Sequence, residues 1–439
     1  MYIKKIVLKN IRCFEHLEFD LSSKGDVQKW GVILGDNGVG KTTLIRSIAM
    51  GLCDKTGATG LLQDTYGDWV RWDEKKATIK IDLLDGVKKC WIETTIHHEY
   101  DSKLETVEQV TDPKNGFPWK KMFVCGYGAN RSILGSELAE KYSPADSLYT
   151  LFSYGQPLQS PELMLRRRAL NKKEIAEICG WLDGVLMLEK GSTKLDEGGI
   201  KIKGAWGRDV YLGSLPDGHM AMLTLVLDML GWASLKGLKR WKNKLSGIIL
   251  IDEIEQHLHP SWQKYIIKLL HKVFPNLQFI ATTHSPLCAI GTANLENAEK
   301  VCSLLVLSQE DDYVKGQDKI KPPSGQRADQ VLTSYLFDLE TTRSDDTLQQ
   351  IERYSALLAK DKRSEKEQSE LVKLRKKLNE KLGSAETPLQ QLVEEAVRKA
   401  LDKLVAETVK AKKLPKEAID FEIRRQLNEL FSKGSYDKD

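Results

Sequence analysis

The sequence predicts an α/β fold: a mixed sheet with an antiparallel subdomain and a helical lobe, followed by a helical C-terminal region. Three observations lead there. Residues 2 to 21 alternate apolar and polar, with Ile3, Ile6, Leu8 and Ile11 followed by Leu17, Phe19 and Leu21, which is the period of half-buried strands. The run "WGVILG" (Trp30 to Gly35) is continuously apolar, as in a strand covered on both faces, and passes through a glycine turn into a helix-periodic segment. Two later runs, "LSGIILIDEIEQ" and "LQFIATTHSP", are again buried strands that end in polar residues.

In chain order, the opening strands turn around Arg12 to Glu15, and the helix after the glycine turn carries Leu44, Ile45, Ile48, Ala49 and Leu52 at helical spacing. "ATIKIDLL", "KKCWIETTI" and "KKMFVCGYG" read as strands, with a polar hairpin loop near Asp112 to Gly116. A helix is expected at "NKKEIAEICGWLDGVL" and a glycine-rich hairpin at "DEGGIKIKGAWG". "HMAMLTLVLDMLGWASL" is a strongly apolar helix, and "SLLVLSQEDDYV" gives a further strand. From about Asp329 amphipathic helices with stripes at Leu371 to Leu382 and Leu389 to Leu404 are expected. Their charges are balanced and read as solvated faces rather than a basic arm. The expected division is a head over 1–328, with a helical lobe over about 130–235, and a helical region over 329–439 for partner binding or oligomerisation.

With 41% apolar and 29% charged residues the composition is that of a globular protein with a sizeable core, not a disordered chain. The net charge of +4 balances 66 basic against 62 acidic residues, so any nucleic-acid contact has to come from a local patch. Seven scattered cysteines without a C-x-x-C pair read as buried thiols in a reducing compartment. The N-terminus lacks the apolar run of a signal peptide, so a cytoplasmic protein without membrane contact is expected.

The segment that carries chemistry is "GDNGVGKTT", Gly35 to Thr43. It fits G-x-x-x-x-G-K-[ST] between a buried strand and a helix, the context in which backbone N–H groups and the helix N-terminus wrap a polyphosphate. Asn37, Gly38, Gly40, Lys41, Thr42 and Thr43 are the expected nucleotide-binding residues, with Lys41 on the β- and γ-phosphates of ATP and Thr42 on Mg²⁺. "GIILIDEIEQHLHP" delivers Asp252 and Glu253 at the carboxyl end of a strand, where α/β sheets place their chemistry. Asp252 is the second expected Mg²⁺ residue, and Glu253 would orient or deprotonate the attacking water. His284, after the strand of "FIATTHSP", can hydrogen-bond a γ-phosphate. His257 and His259 lack further ligands at metal spacing and read as a turn against a second subunit.

The order "KNIRCFE", "GDNGVGKTT", "LPDGHMAML", "ILIDEIEQHLHPSWQ" and "ATTHSP" resembles the ABC-type ATPase heads of the RecF, SMC and OLD group, over residues 1 to about 310. The resemblance implies a P-loop NTPase head in which two subunits sandwich two ATP molecules. The signature loop of one, here Ser214, Asp217 and Gly218, would cap the γ-phosphate held by the other, and Arg12 would approach the nucleotide from the first hairpin. Pro216 stands where the family signature has serine, although Ser214 could supply the hydroxyl. Tyr127 and Arg131 in "YGANRS" either line the nucleotide or dimer face or close a structural turn with a satisfied Arg, and Gln156 is a candidate for the residue that bridges Mg²⁺ and the two lobes.

The gap between the glycine loop and the signature holds strands, glycines and prolines instead of long heptads, which sets the chain apart from coiled-coil ATPases. No strand-borne D-x-D pattern follows His284, so no intrinsic nuclease centre is expected. What remains is similar to the PtuA family of Septu anti-phage ATPases and their retron-associated relatives. That resemblance implies a slow regulatory ATPase in a homo-oligomer of head-to-head dimers, controlling a separate PtuB-like HNH nuclease, with DNA met through the complex. The alternatives are a RecF-like DNA-repair ATPase, the ATPase subunit of another defence system, and a scaffold held together by ATP.

Overall fold

The computed structural model describes residues 1–23, 26–65, 68–98, 105–114, 116–131, 139–153, 155, 158, 172–196, 199–204, 208–211, 214–238, 245–358, 360 and 363–382. It divides into two compact units, Met1–Glu340 and Thr341–Asp439. The expected boundary after residue 328 lies twelve residues earlier, because the 328–332 helix packs within the first unit.

The chain begins with β1 (Tyr2–Ile11) and β2 (Phe14–Asp20), continues through the short β3 (Ser22–Ser23) and β4 (Asp26–Val27) to β5 (Trp30–Leu34), and then forms α1 (Lys41–Gly51) and α2 (Lys55–Gln63). β6 (Lys76–Asp85), β7 (Lys88–His98) and β8 (Glu105–Asp112) follow, then β9 (Val124–Tyr127) and α3 (Pro144–Leu148). β8 is absent from the sequence-based expectation. It is the outer strand of its sheet, and only Val107 on it is buried, so no apolar alternation marks it. The expected hairpin near Asp112 to Gly116 does not join two paired strands, because β8 and β9 belong to different sheets.

The remainder of the first unit runs α4 (Lys172–Val185), β10 (Thr193–Asp196), β11 (Gly199–Lys203), β12 (Asp209–Tyr211), α5 (Asp217–Leu235), β13 (Gly247–Ile251), α6 (Pro260–Gln263), α7 (Ile266–Val273), β14 (Leu277–Thr282), α8 (Pro286–Thr292), α9 (Ala298–Val301), β15 (Cys302–Glu310), β16 (Tyr313–Ile320) and α10 (Ala328–Leu332). The second unit contains the helical hairpin α11 (Asp345–Leu358) and α12 (Glu365–Leu382), closed by Leu357, Leu371 and Leu378 and by the paired bonds of Arg353 to Glu370. Leu389 to Leu404 lie outside the described residues.

The central sheet has six strands in the order β16-β15-β5-β14-β13-β9, all parallel except β16. Because side chains alternate across a strand, it separates two cores. Trp30, Val32 and Leu34 of β5, with Ile249 and Ile251 of β13, face α4, α5 and α7; Ile33, Ile248 and Leu250 face the other way, onto α1 and the antiparallel sheet β2-β1-β6-β7-β8. α1 is thus covered between two sheets, which explains why Leu44, Ile45 and Ile48 are all buried. α5 is apolar on every side because the core encloses most of it. It is long and apolar enough to cross a membrane by composition, but 72% of that window is buried in the fold.

Gln278 shows how the sheets are joined. Its side chain is fully buried, yet it donates to Ile3 O and Gln28 O and accepts from the Ile3 N–H, so no polar atom is stranded. Since β5, β9, β13 and β14 run parallel, their carboxyl ends all open on one edge of the sheet, and the chemistry collects there.

Candidate nucleotide site

Gly35 follows β5, and the loop to α1 turns through Gly38 and Gly40, both at φ +84°, a left-handed conformation that costs other residues roughly 1–2 kcal/mol. At Gly40 the space is also closed: an added Cβ would lie 2.5 Å from Cys13 Sγ. The tip of the β1–β2 hairpin therefore rests on the loop at the first turn of α1. Gly40 provides no side-chain cap, so the first N–H groups of α1 are left for an anion. Lys41 is buried, and its ammonium donates to Gly35 O at 2.8 Å and Asp36 O at 2.6 Å. Burial lowers its pKa, while Asp252 and Glu253 oppose that shift. Asn37 and Gly38 stay exposed, and Thr43 is half-buried.

β13 brings Asp252 to the same point. Its Oδ2 accepts from Thr42 Oγ1 at 2.8 Å and its Oδ1 from Thr282 Oγ1 at 2.6 Å, so the carboxylate is gripped from α1 and from β14. Glu253 follows in the left-handed region at φ +49°, its N–H donating to the Thr282 hydroxyl at 2.7 Å. The Asp252 and Glu253 carbonyls accept from the buried Arg131 guanidinium. Two carboxylates, a threonine hydroxyl and an ammonium thus meet at the helix N-terminus. Such hard oxygen donors suit Mg²⁺, and Thr42 and Asp252 are the residues placed to hold it.

The chain leaving β14 places His284 half-buried beside this cluster, with its backbone N–H donating to Glu255 Oε1 at 2.5 Å. Ser285 caps the following helix through its hydroxyl. Arg12 lies at the hairpin tip with its guanidinium over the Trp69 ring, 4.2 Å from the centroid, and its Nε donates to Asp68 O. Burial and then the neighbouring Arg46 push its pKa down, so two cations stand side by side near α1.

The predicted signature residues lie elsewhere. Ser214 is exposed, Pro216 occupies the N-cap of α5, and Gly218 abuts the His257 carbonyl, which an added Cβ would meet at 3.0 Å. His219 packs on Trp262, with ring centroids 4.7 Å apart. The signature turn and the His257–His259 turn therefore form one surface. Among the described residues no hydrogen bond joins Ser214 or Gly218 to the Lys41 and Asp252 cluster. The Asp217 side chain and Gln156 lie outside the described residues.

Three contributors escaped the sequence reading or were left undecided there. Thr282 bridges Asp252 and Glu253, and two buried threonines ending an apolar run were a usable sign. Glu255 holds the His284 loop, and Arg131, with two readings open, is seen to grip the chain after β13. Asp68, His98 and Glu105 bring ligand-type atoms within 4.8 Å of one another. Glu105 Oε1 there accepts from the Trp69 and Val70 N–H groups, closing the turn that supports Arg12. All seven cysteines are free thiols.

A glycine loop feeding a helix N-terminus, a strand-borne Asp-Glu pair bound to its threonine and a histidine one strand away are the parts of a P-loop nucleotide site, assembled at one edge of the sheet. Residues 5–173 match the AAA_23 family, an AAA domain, and residues 199–289 match AAA_21, described as "AAA domain, putative AbiEii toxin, Type IV TA system". The chain is 27% identical to the Septu protein PtuA of Bacillus mycoides, over 87% of this chain and 51% of that protein. It is 24% identical to the "Retron Vc95 probable ATPase" of Vibrio cholerae, over 71% of this chain and 58% of that one. The chain thus spans little more than half the length of these relatives. Among solved structures it is similar to the SMC head domain from Thermotoga maritima, at 15% identity and a TM-score of 0.43, over 72% of this chain and 98% of that one.

Proposed function

We propose that this chain is a slow, regulatory, Mg²⁺-dependent ATPase of a cytoplasmic anti-phage defence complex. The observation that carries the ATPase part is the hydrogen bond from Thr42 to Asp252, which joins the phosphate loop to the carboxylate pair. The names of the relatives, Septu PtuA and a retron ATPase, support the defence setting.

In this reading Lys41 exchanges its two carbonyl partners for the β- and γ-phosphates of ATP, and the N–H groups of Gly38, Gly40, Thr42 and Thr43 take the phosphate oxygens. Asn37 borders the same phosphates. Bound Mg²⁺ would neutralise charge developing on the phosphate oxygens. Thr42 and Asp252 hold it, and Thr282 keeps Asp252 turned toward it. Glu253 orients the attacking water and takes its proton, His284 donates to the γ-phosphate, and Arg12 lies against the nucleotide from the hairpin.

Two heads face one another, so that Ser214, Asp217 and Gly218 of one meet the nucleotide of the other. Pro216 removes a hydroxyl worth about 1.5–3 kcal/mol in a bond to a charged group, roughly a ten- to hundred-fold weaker closure. ATP then acts as a latch more than a fuel. The head is proposed to be the first unit, Met1–Glu340, and the helical region after it the surface for oligomerisation or for a separate HNH nuclease, which would do the DNA cutting. The test is reconstitution: the chain alone binds and slowly hydrolyses ATP without cutting DNA, and cutting appears when the nuclease is added. DNA cleavage by the chain alone contradicts the proposal.

A further inference from the structure

β9 and β13 are parallel neighbours in a register that pairs Tyr127 with Ile251. The chain leaving β9 therefore runs alongside the chain leaving β13, and Arg131 turns a guanidinium that is only 6% exposed onto it. Its Nη2 donates to Asp252 O at 3.0 Å and Glu253 O at 2.8 Å, and its Nε donates to Gly128 O at 3.3 Å. The amides of the same stretch are held as well: Asp252 N–H by Tyr127 O on the β9 side, and Glu253 N–H by the Thr282 hydroxyl and Ile254 N–H by Thr282 O on the β14 side.

Glu253 needs this grip, since its backbone sits in a region that non-glycine residues avoid. Burying a cation is costly, and neutral donors would suffice to close an ordinary turn. What a guanidinium adds is a rigid planar group that reaches three carbonyls at once, Nη2 on Asp252 O and Glu253 O and Nε on Gly128 O. It also sets a positive charge behind the acids: burial pushes its pKa down to about 10, opposed first by Glu255 and then by Asp252 and Glu253. Glu255 in turn accepts the His284 N–H, so the carboxylates and the histidine loop are arranged around one buried charge.

We propose that Arg131 is a positioning residue for hydrolysis: it fixes the Asp252–Glu253 peptide so that one carboxylate stays on Thr42 and the other is aimed at the attacking water. This rests on the ATPase reading. The arrangement acts on geometry rather than on phosphate binding, which belongs to the glycine loop.

The test compares Arg131→Met and Arg131→Lys with the unaltered chain in steady-state ATP hydrolysis and in titrations of ATP with and without Mg²⁺. Arg131→Met is expected to lower kcat by about ten-fold or more while KM changes by less than about three-fold, and Arg131→Lys to recover part of the loss. Adding Arg131→Met to Glu253→Gln should cost nothing further. A wild-type kcat in Arg131→Met, or full additivity with Glu253→Gln, overturns the inference; if Arg131→Met does not fold, Arg131→Lys carries the same comparison. If the unaltered chain releases no phosphate, the ATPase reading fails by itself. The inference is then read from the Mg²⁺-dependent gain in ATP affinity, which Arg131→Met should reduce about ten-fold and whose persistence overturns it.

Discussion

The Thr42 hydroxyl donates to Asp252 Oδ2 at 2.8 Å, so the first helix and β13, 210 residues apart in sequence, meet in one hydrogen bond. Thr282 holds the other oxygen of Asp252, which keeps the carboxylate in place when Thr42 is changed. Thr42→Val should therefore leave Mg²⁺-free ATP binding intact and reduce the affinity gained with Mg²⁺ by about ten- to a hundred-fold. Nucleotide titrations with and without Mg²⁺ check this. An equal loss in both would place Thr42 on the phosphates alone.

Gly38 and Gly40 share one backbone conformation but not one environment. A Cβ on Gly38 meets nothing within 4 Å, whereas one on Gly40 meets Cys13 Sγ at 2.5 Å. Gly38→Ala should cost roughly 1–2 kcal/mol of stability from backbone strain alone. Gly40→Ala should cost about 1–3 kcal/mol more from overpacking and weaken ATP binding by moving the hairpin tip. Denaturant midpoints of the two variants read the difference.

Pro216 is suited to the start of α5 because it leaves no N–H unpaired, but it offers no hydroxyl. Pro216→Ser is expected to raise steady-state hydrolysis, by about ten-fold or more where one charged hydrogen bond is restored. An unchanged or lower rate would remove the signature proline as the cause of slow turnover.

Burial against Trp262 lowers the pKa of His219 below its ordinary 6.5. The unfolded chain then binds a proton near pH 6.5 before the folded one does, so protons favour unfolding as the pH falls through that value. Between pH 7 and 5.5 the unaltered chain should lose thermal stability more steeply than His219→Phe. Parallel curves would contradict it.

The glycine loop, the Asp252–Glu253 pair and the two strands that deliver His284 and Lys41 were legible in the sequence, because each is a local pattern of apolar run, turn and polar residue. Edge strand β8 was not, since one exposed face and a single buried valine leave no period to read. Residues brought together by strand order were equally hidden. Nothing local to "YGANRS" says that β9 pairs with β13, and hence that Arg131 grips Asp252 and Glu253. Nor does "LPDGH" announce that Gly218 will rest on the carbonyl of His257. Thr282 lies between the two cases: its place at a strand end was readable, its role as the clasp on Asp252 was not.

The most direct test of the account is phosphate release measured beside nucleotide binding in the unaltered chain and in Glu253→Gln. That substitution keeps the shape of the side chain and removes its proton-accepting charge. Mg²⁺-dependent ATP hydrolysis should fall by about a hundred- to ten-thousand-fold while ATP binds as before. Equal phosphate release from the two proteins, or failure of the unaltered chain to bind ATP, would contradict the assignment of this site.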